Sequence, residues 1–214
     1  TRTGGRTQSG QTREQGVGKC IDGTCLDGTK YVLERMGRPD LHLEGVIHVA
    51  GTNGKGSVCT AVSNALTETG YRVGPFTSPH LNDFRERMLV CGEMPPESWV
   101  AERVNRFREE LPTWSYQPSF FEWTFGLALL WFVDEQVDVV VLETGMGGRF
   151  DSTNVFPTPL VTAVTNIGWD HQQFLGNDIR SIAGGLLPRF ALLYMLADIH
   201  FAHPTMQTPC KVPV

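Results

Sequence analysis

Val46-Ile47-His48-Val49-Ala50-Gly51-Thr52-Asn53-Gly54-Lys55-Gly56-Ser57 passes from an apolar run into three closely spaced glycines and a lysine. Beyond it Val58, Ala61, Val62, Ala65 and Leu66 recur at helical spacing, and Gly70 closes the helix. The unit therefore predicts a strand, a glycine loop and a helix. Glycines let backbone N–H groups close around phosphate oxygens, and the helix that follows offers them its positive end. Lys55 adds a mobile charge for the β- and γ-phosphates. The stretch departs from G-x-x-x-x-G-K-[ST], because Gly51 stands three residues before Gly54 and Gly56 separates Lys55 from Ser57. A glycine-rich turn with an incidental lysine is the plain alternative. The position between an apolar strand and an amphipathic helix favours a phosphate site built from Gly51, Thr52, Asn53, Gly54, Lys55, Gly56 and Ser57.

Working outward, residues 71–76 read as a second strand, followed by the loop Thr77-Ser78-Pro79-His80, and residues 87–90 as a short third one. Trp99, Val100, Val104, Phe107 and Leu111 mark one face of an amphipathic helix. Residues 120–135 are apolar nearly all round and predict a buried helix. Residues 137–142 form a β-branched run ending in Glu143, and residues 160–167 another, ending in Gly168-Trp169-Asp170-His171. Unbroken Val/Ile/Leu strands alternating with helices predict an α/β fold, a mostly parallel P-loop-type sheet with helices on both faces. In such a sheet, ligands bind beyond the carboxyl ends of the strands. The glycine loop, Thr77-Ser78, Glu143 and Asp170-His171 should therefore share one edge. Glu143 occupies the position of a Walker-B acid, directly after a buried strand, suited to hold Mg²⁺ directly or through water.

The chain has 214 residues, 41% of them hydrophobic and 19% charged, as expected of a globular protein. A net charge of −5 gives no reason to expect nucleic acid as a partner. Five cysteines at irregular spacing read as reduced thiols. The apolar stretches 120–133 and 186–199 fall short of the roughly 20 residues a membrane span needs, so no membrane role is expected.

Five segments, taken together, resemble the folylpolyglutamate synthase/dihydrofolate synthase branch of the Mur ligase family. They are residues 48–57, Thr77-Ser78-Pro79-His80-Leu81, Phe121-Glu122, the run 143–154 that opens Glu143-Thr144-Gly145 and holds Phe150-Asp151-Ser152, and Thr165-Asn166-Ile167-Gly168-Trp169-Asp170-His171. They stand in the family's order and spacing, over about residues 33–183. The resemblance implies a Mur ligase central-domain-like fold and a cytoplasmic, monomeric, ATP- and Mg²⁺-dependent ligase. Such an enzyme joins L-glutamate to the carboxylate of dihydropteroate or a folate through an acyl phosphate. It implies that Lys55, Glu143 and His171 are catalytic and that Ser78, Glu143 and His171 are metal ligands. It also implies that Phe121, Glu122, Phe150, Asp151 and Ser152 line the pterin side. A nitrogen ligand on Mg²⁺ is atypical, so His171 rests on the resemblance more than on its chemistry.

The match fades after Ala183, where the family continues through a Lys-Ala-Gly-Ile segment whose carbamylated lysine helps hold a second Mg²⁺. The expected organisation is a loosely held stretch over residues 1–28, an ATP-binding ligase domain over 29–183, and a divergent tail over 184–214. The family's carboxy-terminal glutamate-binding domain is not represented, so the expectation is an incomplete or inactive ligase. The competing readings are another Mur-type amide ligase, a P-loop kinase or NTPase, and a nucleotide-binding fragment without catalysis.

Overall fold

The computed structural model describes residues 26–169, 172 and 177–186. Four parallel strands, β1 (Val46–Ala50), β2 (Val73–Phe76), β3 (Val139–Glu143) and β4 (Val161–Val164), pair in the order β2-β3-β1-β4. Five α-helices are described: α1 (Asp27–Arg35), α2 (Lys55–Glu68), α3 (Glu97–Glu110), α4 (Phe120–Asp134) and α5 (Ile179–Leu186).

The alternation of side chains along a strand divides the core in two. Val139 and Val141 of β3, with Val49 and Val73, pack against Val58, Cys59, Val62 and Leu66 of α2. Val140 and Leu142, with Val46 and Phe76, pack against Phe121, Phe125, Leu129 and Phe132 of α4. A helix therefore covers each face, as the apolar runs require. Helix α4 is apolar on its far side too, because α1 and α3 close over it. Phe107 of α3 and Val32 of α1 join Trp114 and Tyr116 in a cluster that takes in Trp123 of α4.

Three boundaries differ from the sequence-based expectation. Order reaches back to α1 at Asp27, inside the stretch expected to be loose, because Thr29 and Val32 are fully buried against the rest of the domain. Residues 87–90 do not form a strand. A 3-10 turn over Phe84–Arg87 precedes two isolated bridges, Phe76 with Met88 and Val90 with Glu93. Helix α5 runs through the boundary expected at Ala183, its Ile182 buried against Ala50, Val164 and Ile167. Cys59 is free and buried, whereas Cys91 is disulfide-bonded, against the expectation of thiols throughout.

The α4 layer approaches the sheet closely at Gly74, where an added β-carbon would lie 2.6 Å from the Phe132 ring. Gly74→Ala should therefore overpack this layer and cost about 1–3 kcal/mol. Urea unfolding would show the loss as a lower midpoint, and an unchanged midpoint would mean that the ring yields freely.

Candidate active site

The glycine loop leaves β1 at Gly51, whose φ of +133° and crowding against Thr165 and Asn166 admit no side chain. The chain after β4 grips the loop from the side. Thr52 N–H donates to the Asn166 carbonyl (2.9 Å), Asn53 N–H to Asn166 Oδ1 (2.8 Å), and Gly168 N–H to Thr52 Oγ1 (2.9 Å). The Thr52 and Asn53 amides are thus occupied. The loop's capacity for anions rests on residues 54–57, where Gly54 caps α2 in a left-handed conformation and Lys55 opens the helix. The Lys55 ammonium folds back to donate to the carbonyls of Gly51 (2.9 Å) and Thr52 (3.2 Å). Those are contacts that a bound phosphate would compete for.

Pairing of β1 with β3 sets Val49 opposite Glu143, which brings the β3 acid beside the start of α2. The Glu143 carboxylate accepts the Ser78 N–H at 2.9 Å and is reached by the Gly56 N–H as well. Burial pushes its pKa up, opposed by those two amides and by the charges of Lys55 and Arg87. Three of the predicted positions, Lys55, Ser78 and Glu143, therefore share one edge. Asp170 and His171 lie outside the described residues. Among the described residues no group of three or more His, Cys, Asp or Glu side chains could hold a metal. The oxygen donors available are the Glu143 carboxylate and the Ser78 hydroxyl, a set whose hardness suits Mg²⁺.

The five residues expected along the pterin side separate. Phe121 and Glu122 are buried rather than exposed to a ligand. Phe121 sits edge-on to Phe76 (5.5 Å between ring centroids). Glu122 forms a capping box with Ser119 and also accepts the Tyr116 hydroxyl (2.9 Å). The Thr29 hydroxyl lies 3.3 Å from a Glu122 carboxylate oxygen, to which it donates, and 2.8 Å from the Ser152 hydroxyl, from which it accepts, so α1, α4 and the 150–154 loop are tied together. Asp151 is fully buried and accepts the N–H groups of Met146 (2.8 Å) and Thr153 (2.9 Å). Phe150 alone of the five is open to solvent, its ring under the Arg149 guanidinium at 5.0 Å.

No protein-family model matches the sequence. A dihydrofolate synthase/folylpolyglutamate synthase of Bacillus subtilis is 46% identical over 165 residues, which are 74% of this chain and 38% of that protein. Among solved structures, E. coli FolC in complex with DHPP and ADP superposes with a TM-score of 0.68 at 38% identity, over 77% of this chain and 38% of that one. An FPGS–AMPPCP–folate complex gives 0.66 at 37%, over 74% and 40%. The chain belongs to the folylpolyglutamate synthase/dihydrofolate synthase family. It spans about two fifths of the length of these relatives. No described helix is long and apolar enough to cross a membrane.

Two features of this family member were not read from its sequence. Arg87 is buried, donates from Nε to His80 Nδ1 (2.9 Å) and lies over the Phe120 ring at 5.2 Å. Nothing in the string Phe84-Arg85-Glu86-Arg87 distinguishes it from Arg85, which salt-bridges to Asp83 and Glu97. The second is His48, a polar residue inside an apolar strand and therefore a signal available to inspection. It lies 2.8 Å from Thr153 Oγ1, whose hydroxyl donates to Asp151 Oδ1 at 2.5 Å. With that proton spent on Asp151, the His48 Nε2 must carry the donor hydrogen.

Burial pushes the His48 imidazole down to about 4 and the Asp151 carboxyl up to about 6, the latter against its hydrogen bonds. The signs oppose. Between pH 4 and 6.5 the unfolded chain binds the His48 proton and the folded chain does not, so stability rises with pH. Between pH 3.8 and 6 the folded chain holds the Asp151 proton and the unfolded chain does not, so stability falls. Each contribution is about 3 kcal/mol, and they largely cancel. His48→Gln keeps a donor for Thr153 and removes only the rising part. Its stability should fall by about 3 kcal/mol relative to wild type as pH goes from 4 to 6.5, read by urea unfolding. A pH-independent difference would contradict this assignment.

Proposed function

We propose that this chain supplies the nucleotide- and metal-binding part of a ligase that joins L-glutamate to a folate-type carboxylate. The observation that carries the reading is the Glu143 carboxylate, held between the Ser78 N–H and the first turn of the phosphate-loop helix. The neighbours solved with ADP and DHPP, or with AMPPCP and folate, support it.

In this reading a carboxylate oxygen of the pteroate or folate attacks the γ-phosphorus of ATP, ADP leaves, and an acyl phosphate forms. The amine of glutamate then attacks the acyl carbon, the C–N bond forms, and inorganic phosphate departs with the C–O electron pair. Lys55 swings from the Gly51 and Thr52 carbonyls onto the β- and γ-phosphates, and the amides of Gly54, Lys55 and Ser57 hold their oxygens. Mg²⁺, held by Glu143 and Ser78, would supply charge neutralisation on the phosphoryl group. His171 is carried as a third ligand on the strength of the family resemblance. Phe150, beside the loop that Asp151 and Ser152 brace from within, offers an open aromatic face to a flat heterocycle. The ligase unit, expected over residues 29–183, is assigned with the whole of α1 and α5 included, and the protein is assigned to the cytoplasm as a monomer on the resemblance.

Lys55→Ala removes a charge-assisted contact, so Mg-ATP affinity should fall about ten- to a hundredfold by calorimetric titration. Circular dichroism would establish that α2 survives the loss of the two loop contacts. Equal affinities would remove Lys55 from the site.

A further inference from the structure

Arg87 is the one arginine among the described residues that is buried, at 8% exposure. Among the described residues it is also not paired with a carboxylate. The more exposed guanidinium groups of Arg38, Arg72, Arg85 and Arg103 each lie within 3.1 Å of an Asp or Glu oxygen. Among the described residues Arg87 has no such partner within 4 Å, and neither of its terminal nitrogens donates to an acceptor there. A buried cation left in that state is costly unless something anionic completes it.

Its surroundings fix the guanidinium without satisfying it. The capping box of Asp83 and Glu86 locks the turn that ends at Arg87, and the Thr77 N–H donates to the Arg87 carbonyl at 3.1 Å. The backbone of Arg87 is therefore anchored beside Ser78. Its Nε is spent on His80 Nδ1 at 2.9 Å, and its flat face rests on Phe120. What remains is the pair of terminal NH₂ groups, a planar fork whose spacing matches two oxygens of one anion. Arg87 and Lys55 both act on the Glu143 carboxylate electrostatically. Arg87 is anchored on its Ser78 side and Lys55 on its phosphate-loop side.

We propose that Arg87 is the residue that receives the substrate carboxylate awaiting phosphorylation, holding both its oxygens beside Glu143. This rests on the ligase reading above and adds to it the group that selects an acid. Lys55 on one side and Arg87 on the other would then bring two mutually repelling anions, the triphosphate and the carboxylate, to one acidic residue and its metal. The fork holds the carboxylate through both oxygens, and one is released to attack phosphorus.

The test is a ligand–residue cycle by calorimetry with the full chain and Mg-AMPPCP present, titrating pteroate and its primary carboxamide into wild type and Arg87→Gln. Wild type should prefer the carboxylate at least about tenfold, and Arg87→Gln should bring that ratio close to one. Arg87→Lys keeps the charge but loses the fork and the His80 contact, so it should show an intermediate ratio. It also serves if the glutamine variant fails to fold by circular dichroism. An undiminished preference in either folded variant overturns the assignment. So does a wild type that binds Mg-AMPPCP yet fails to distinguish acid from amide, an outcome that leaves the nucleotide part of the ligase reading intact. A wild type that binds neither the nucleotide nor pteroate overturns the ligase reading and the assignment together.

Discussion

A carboxylate at the end of a buried strand is expensive unless its surroundings favour its charge, and Glu143 is supported from two directions. The Ser78 N–H comes from the chain leaving β2, and the Gly56 N–H from the first turn of α2. Strand pairing makes the meeting possible, since β3 lies between β2 and β1 with Phe76 opposite Leu142 and Val49 opposite Glu143. A slip of one residue in β3 would exchange the faces that meet α2 and α4 and turn the acid away from both donors. The sheet register and the site are therefore one constraint. The side chains that secure the register are the same Val and Leu residues that fill the core.

A second set of polar contacts braces the loop that follows that acid. His48 reaches Thr153, Thr153 and Met146 reach Asp151, and Ser152 is joined through Thr29 to Glu122 and Tyr116. These residues come from β1, α1, α4 and the loop after β3. Buried groups so thoroughly satisfied rigidify what they connect. They keep the loop that follows Glu143 from drifting, and they leave Phe150 as its open aromatic.

The architecture was legible because burial on both faces demands unbroken apolar strands, and β1 and β3 are such runs. The position of the phosphate loop followed from the glycines, and that of Glu143 from the strand end. Less legible were features set by distant partners. Ser119-x-x-Glu122 before an apolar run is a capping-box signature, and the Glu122 carboxylate serves that cap rather than an open ligand site. Residues 87–90 carry a strand-like pattern, but the Asp83–Glu86 cap bends the chain first. Arg87 and Arg85 look alike in sequence. Only the fold shows that the Asp83 and Glu97 carboxylates belong to one and, among the described residues, none to the other.

The central claim is that Glu143 holds a metal ion next to a phosphate bound at residues 54–57. Mn²⁺ reports on this directly, because its enhancement of water proton relaxation rises when it is immobilised in a protein–nucleotide complex. With AMPPCP and Mn²⁺ the wild-type chain should give a strong enhancement. Glu143→Gln, which preserves the acceptor for Ser78 but removes the charge, should lose most of it. Equal enhancement in the two proteins would contradict the account, since the metal would then be held without the acid around which the site is built.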